Sequence, residues 1–343
     1  MNNLKKIGLS ALAGSLVAAS ASAGALDVTG IWEVTFKSDD NANSGNAFGS
    51  KSAIMFNGSG DVDGVGTASW YAAMNDNNPA GFLSHKVDID MGDLGTFGFD
   101  QGVGAYGVGT IDDKMPYAYE ELWNHTGSVR GLRAAGGTNA IGYKNAYNGY
   151  NLSVEIDPGH GAGSANGDSG STGEGTTDSG YNFAVTTATL YEGLDAGFGY
   201  GTEEATTDSS NAKDASFVTG YVTYAIGGAT LGFQMSDASG GATGAIGNQV
   251  MIAGVSYSVN ENLAVSFSKM ENEYANGTSL TAASGTVTSQ AIGVDTTEDT
   301  TGLGASYTMG SAAVRLLASQ GTSIGGTAGN DEDHIELSLM LAF

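Results

Sequence analysis

The chain has 343 residues with no cysteine, three prolines and 55 glycines, and it carries 37 acidic against 12 basic side chains, a formal net charge of −25. Without disulfides, main-chain hydrogen bonds and packing must hold the fold; the scattered glycines lack a collagen-like period; and the negative charge argues against nucleic acid and anionic lipid surfaces as partners. Past the N-terminus no apolar run approaches the roughly 20 residues of a membrane helix, which leaves room for a barrel whose strands need only about ten alternating residues.

Lys5 and Lys6 precede a small-residue apolar run from Ile7 to Ala19, which ends in a small-x-small pattern at Ala21-Ser22-Ala23. This reads as a secretory signal peptide over 1–23, with a mature domain over 24–343. Removing Lys5 and Lys6 leaves 10 basic residues and a net charge of −27.

Alternating segments then follow one another to the C-terminus. The first strand, about 26–37, sets Leu26, Val28, Trp32, Val34 and Phe36 on one face and Asp27, Thr29, Glu33, Thr35 and Lys37 on the other. Strands are predicted at 51–57 and 65–74, joined by the Gly/Asp turn GSGDVDG, then at 85–91 and 94–100 around a turn at Gly92-Asp93. An irregular stretch, 101–138, interrupts the rhythm, and a connection that long inside a compact domain is usually functional. Strands resume at 139–144 and 150–157. Hairpins follow at 180–191 with 194–201, 215–226 with 229–236, 248–259 with 263–270, and 300–309 with 312–320. The last strand, HIELSLMLAF, places Ile335, Leu337, Leu339, Leu341 and Phe343 on an entirely apolar face.

The prediction is an all-β chain of sixteen strands, with short turns on one side and long polar connections and neither terminus on the other. Fourteen or eighteen strands are the nearest alternatives. This asymmetry is that of a transmembrane antiparallel β-barrel. Hydrocarbon requires every backbone polar group to be paired, so the sheet must close, and sixteen strands enclose an aqueous lumen. The polar faces would line it: Asp27, Glu33, Lys37, Lys86, Asp88, Asp90, Asp100, Lys144, Glu155, Asp157, Asp195, Arg315 and Glu336. Lys269 is the exception on an apolar face, able to snorkel to the headgroups.

Other motifs carry less. Gly102–Gly107 matches GxGxxG, but neither a helix nor a βαβ unit follows, so no dinucleotide site is assigned. The aspartates at Asp61, Asp63 and Asp88–Asp93 lack the twelfth-position Glu and flanking helices of an EF-hand. His85, His125, His160 and His334 show no ligand spacing, so neither a metal nor another cofactor is assigned. No Ser–His or Asp–His pairing is evident, which argues against an enzyme.

The signal peptide, the sixteen-strand layout, the segment Gly104–Trp123 with GAYG, DDKMP and YEE, and the terminal Phe343 together resemble a Gram-negative general porin of the alphaproteobacterial, Rhodobacter-like kind. The resemblance implies a homotrimer in the outer membrane, in contact with lipid and lipopolysaccharide, that passes ions and small hydrophilic solutes. It implies that Phe343 is read as an assembly signal by the barrel-assembly machinery, and that the third long loop, about 101–138, folds into the barrel and constricts it. Asp112, Asp113, Glu120 and Glu121 would supply carboxylates on the pore side of that loop. Arg315 on a lumen face, with Arg130 and Arg133 near the loop's return, would be the few opposing bases, so a net negative, cation-preferring constriction is expected. The alternatives are a channel preferring a sugar or other small solute, a barrel enzyme, and an adhesin exposing loops 158–178 and 271–298.

Overall fold

The computed structural model describes residues 26–40, 46–76, 84–112, 114–122, 140–158, 160–161, 175–177, 179–204, 213–241, 248–274, 281–282, 285–286, 296–326 and 328–343. Sixteen strands close into one antiparallel barrel. They are β1 (Leu26–Asp39), β2 (Phe48–Val62), β3 (Gly66–Asn75), β4 (Ser84–Asp90), β5 (Thr96–Gln101), β6 (Ala140–Tyr147), β7 (Tyr150–Asp157) and β8 (Gly180–Thr187). They continue as β9 (Leu194–Glu203), β10 (Lys213–Ile226), β11 (Ala229–Gly241), β12 (Asn248–Ser258), β13 (Leu263–Tyr274), β14 (Thr296–Met309), β15 (Ala312–Thr322) and β16 (Glu332–Ala342). Each strand pairs with its neighbour in sequence, and β16 returns to β1.

The closing seam has a simple register. Asp39 lies opposite His334, Lys37 opposite Glu336 and Ile31 opposite Ala342. Phe343 extends the ladder by exchanging two backbone hydrogen bonds with Gly30, at 2.8 and 3.0 Å. The closure that hydrocarbon requires is thus made by the last strand on the first, offset so that Leu26–Thr29 run past the chain end and pair only with β2.

The connections after odd-numbered strands are mostly long and those after even-numbered strands short, although the connection from β11 to β12 is no longer than that from β8 to β9. Asn148-Gly149, between β6 and β7, has both residues at positive φ (49° and 82°), the backbone that a two-residue hairpin demands. Several predicted boundaries move. The turn assigned to GSGDVDG is Asp63–Val65, because β2 stays paired to β3 through Val62. The strand predicted to run to Tyr191 ends at Thr187, where the Thr187 hydroxyl donates to the Gly149 carbonyl at 2.9 Å.

The outward face is apolar. Phe97, Ile156, Phe198, Phe233, Phe267, Leu303 and Leu337 are all exposed at positions that alternate with buried or half-buried polar residues or glycines, and Leu26 and Val28 are exposed at the start of β1. Such a belt is unfavourable in water and matches a lipid-facing surface. Lys269, the exception expected on that face, pairs with Glu271 at 2.5 Å and Asp299 at 3.0 Å. Residues 1–23, read as a signal peptide, lie outside the described residues.

Candidate functional site

Period-two alternation sends every second residue of each strand into the barrel, so the inward positions converge on one space. The connection from β5 to β6 enters it. Asp100, 1% exposed, accepts from the backbone N–H of Val103 at 2.7 Å and Ala105 at 2.6 Å, which turns the chain inward as soon as β5 ends. The Tyr106 hydroxyl then donates to Asp88 at 2.6 Å. A 3-10 turn, Gly107–Ile111, docks on the next strands. Gly107 N–H donates to Ser153 Oγ at 2.8 Å, Val108 N–H to Asn182 Oδ1 at 2.7 Å, and Gln234 Nε2 to the Ile111 carbonyl at 3.1 Å. Ala118 N–H donates to Ser266 Oγ at 2.9 Å. Finally the Tyr119 hydroxyl donates to Glu336 Oε1 at 2.7 Å and lies 3.4 Å from Glu33 Oε1. The described residues 102–112 and 114–122 therefore follow the inner wall from β5 round to β16 and β1.

The wall is shaped for that track. A methyl group built at Gly142 overlaps the ring of Tyr106, and one at Gly302 overlaps Leu122. At Gly199 it would come within 2.7 Å of Val108 and 2.9 Å of Ile111. Glycine in a strand interior marks a close approach of another chain segment. Val108, Ile111, Met115 and Leu122 bury their side chains with Ala184, Phe217 and Leu317 in an apolar cluster inside the barrel.

The charged residues divide into paired groups. Arg315 reaches Glu33 at 2.5 Å and lies over the Tyr119 ring, 4.6 Å from its centroid. Lys37 pairs with Glu336 at 2.6 Å. Burial raises the Tyr119 hydroxyl far above the ordinary tyrosine range, helped by its hydrogen bond to Glu336, so it remains a neutral donor. Glu120 beside this group has its carboxyl pushed up, first by burial and then by the negative charge of Glu336. Farther round the wall, Lys86 pairs with Asp88 at 2.5 Å, and Lys144 lies 5.2 Å from the centroid of the Tyr106 ring. Lys114 sits 5.6 Å from the Tyr221 ring centroid, and Asp195 accepts from the Tyr221 hydroxyl at 3.1 Å. Lys114 and Lys144 border a cavity of about 400 Å³ with Thr110, Asn151, Ser153 and Thr186.

The expected site residues are placed unevenly. Glu33, Glu120, Glu336 and Arg315 come together around Tyr119. Lys86, Asp88 and Lys144 gather at Tyr106, and Glu155, 3% exposed, accepts from Asn182 at 3.2 Å. Asp112 follows the 3-10 turn and Glu121 precedes Leu122, both partly exposed. Asp90 instead caps a turn, accepting from Gly92 N–H at 2.9 Å. Asp113, Arg130 and Arg133 lie outside the described residues.

Charge and spacing did not point to Tyr106, Tyr119, Lys114, Asn182, Gln234 or Ser266. The readable signal was glycine at inward strand positions, above all Gly142, Gly199 and Gly302. Linear spacing also puts no histidine in a ligand group, yet the closing seam brings His334 to Asp39 and Glu332.

A family model described as Gram-negative porin matches residues 8–288. No curated protein sequence matches the chain. Solved structures share its fold. An anion-selective porin from Comamonas acidovorans is 14% identical with a TM-score of 0.63, over 93% of this chain and 100% of that one. The trimer form of OmpT, an outer membrane protein of Vibrio cholerae, is 13% identical with a TM-score of 0.63, over 94% and 100%. A mutant of Rh. blastica porin is 14% identical with a TM-score of 0.57, over 93% and 99%.

Proposed function

The chain belongs to the Gram-negative porin family and is an outer-membrane channel protein; from that premise we propose that it passes ions and small hydrophilic solutes by diffusion, with a preference for cations. The observation that carries this reading is the segment Gly102–Leu122 lying against the lumen wall with Glu120 beside Glu33 and Glu336. That segment serves as the constriction. Asp112, Glu120 and Glu121 face the passing solute, and Asp113 continues the acidic run. Arg315, Lys37 and Lys86 are each bound to a carboxylate, so they offset acids without forming an opposing positive surface. A lumen of net negative charge concentrates cations, and salt screens the effect over a Debye length of about 8 Å at physiological strength. Chemistry is not required of any residue; no substrate bond is broken.

Reversal potentials in a planar bilayer under a potassium chloride gradient test this. The permeability ratio of potassium to chloride is above one and largest at low salt; a ratio below one refutes it. A second reading rests on the cavity at Lys114 and Lys144, where two ammonium groups and several hydroxyl and amide groups face one space. It makes the channel one that favours a small anionic or hydroxylated solute, and the anion selectivity of the Comamonas acidovorans porin shows the fold accommodates that preference. The same measurement separates the two. Liposome swelling separates both from a plugged adhesin or enzyme, which would admit no sugars.

Residues 1–23 act as the export leader, and Phe343 as the assembly address. The apolar outer belt supplies a surface on which three copies associate, and the similar Vibrio cholerae protein has a trimer form.

A further inference from the structure

At the end of the barrel that carries the long connections, the closing seam holds a group of side chains that the transport function does not use. Asp39 on β1 stands opposite His334 on β16, and Glu332 lies two residues from His334, so all three side chains project from the same, inward face. One ligand atom from each falls within 4.8 Å of the others. We propose that Asp39, Glu332 and His334 bind a divalent transition-metal ion, represented by zinc, at the mouth of the channel.

The chemistry favours such an ion over a hard one. Calcium and magnesium take oxygen ligands in numbers of about six or more, whereas an imidazole with two carboxylates suits zinc, copper or nickel. Zinc bonds to nitrogen and oxygen are about 2.0–2.2 Å long, which sets ligand atoms about 3.4 Å apart in a tetrahedral site. Three side chains already gathered within 4.8 Å need only small rotamer movements to reach that.

Three features of the surroundings agree. His334 is 3% exposed, so its ring is held by packing, and Nδ1 is directed at Asp39. Its other nitrogen, Nε2, faces Glu336 Oε2 at 3.8 Å. A carboxylate behind the distal ring nitrogen is the usual outer partner of a metal-bound histidine, and an ion at Nδ1 would take the place of the hydrogen bond that Nδ1 makes with Asp39. Lys37, on the same face as Asp39, is drawn to Glu336 at 2.6 Å, so the near partner of Asp39 is His334 itself. With three protein ligands the remaining position belongs to water, so the ion exchanges with the solution.

Zinc chloride titrated calorimetrically into the purified full-length trimer tests the site, with magnesium chloride as the competing hard ion. The expected result is one zinc per barrel, undisturbed by a large excess of magnesium. His334→Gln and Glu332→Gln should each weaken binding by at least the roughly 10–100-fold that loss of an outer partner costs. Each variant must first run as a heat-modifiable trimer; Glu332, at the strand end, provides the test if His334→Gln does not assemble. Unchanged zinc affinity in a folded variant, or equal displacement by magnesium, overturns the proposal and leaves only a diffuse counterion atmosphere.

Discussion

Gly142 offers a sharp test of how the inner segment is seated. A methyl group there occupies the space of the Tyr106 ring, which is fully buried. Gly142 lies on β6 between β5 and β7, and its backbone pairing does not change when a Cβ is added. Gly142→Ala should therefore leave the barrel intact and evict Tyr106. The loss comprises a fully buried aromatic, about 3–5 kcal/mol by analogy with large-to-small changes, which already includes the 2.6 Å hydrogen bond to Asp88. Tyr106→Phe removes only that charged hydrogen bond and should cost about 1.5–3 kcal/mol. The remaining anchors at Ser153, Asn182, Gln234 and Ser266 keep the far part of the segment in place. Gly142→Ala should accordingly raise single-channel conductance and current noise, with Tyr106→Phe intermediate, while heat-modifiable trimers form in normal yield. If Gly142→Ala conducted quietly at the wild-type level, Tyr106 would not be holding the segment and the reasoning would fail.

Two further outcomes follow from the same geometry. Glu120 has a carboxyl raised by burial and by Glu336, so its proton is taken up above the pH at which an exposed glutamate titrates; acidification should lower the potassium-to-chloride permeability ratio from that higher pH, and Glu120→Gln should remove the early part of the change, which reversal potentials read directly. Phe343 is 77% exposed and contributes two backbone hydrogen bonds that any residue could make, so Phe343→Ala should reduce the amount of assembled trimer, measured on unheated gels, while the channels that do form conduct normally; normal assembly would place the address elsewhere.

Much of the barrel is legible in the chain because lipid and water sort side chains residue by residue. Tyr150, Leu152 and Ile156 against Ser153, Glu155 and Asp157 fix β7 and its two faces with no knowledge of its neighbours. Boundaries are less legible: β2 reads as ending before Gly58, yet it continues to Val62 because Gly58, Ser59 and Gly60 find partners in Trp70, Ser69 and Ala68. Partner strands settle what propensity leaves open. The lumen is legible in charge and illegible in contact. Glu33, Glu336 and Arg315 can be assigned to one interior from alternation, but their meeting around Tyr119 depends on the closing seam and on a segment from mid-chain. Asp39 and His334 are 295 positions apart, and only the register of that seam makes them neighbours.

The route of Gly102–Leu122 also bears on the order of folding. Tyr119 takes its partners from Glu33, 86 positions away, and Glu336, 217 positions away in the other direction. Glu336 arrives only when the final strand has paired with the first. Contacts between distant parts of a chain form late, because the loops they close cost conformational entropy. The Tyr119 end of the inner segment is thus the last part to be seated, and a seated Tyr119 certifies a finished circle. An incompletely closed barrel would lack the shorter of its two partners, the Glu336 carboxylate at 2.7 Å, and would leak.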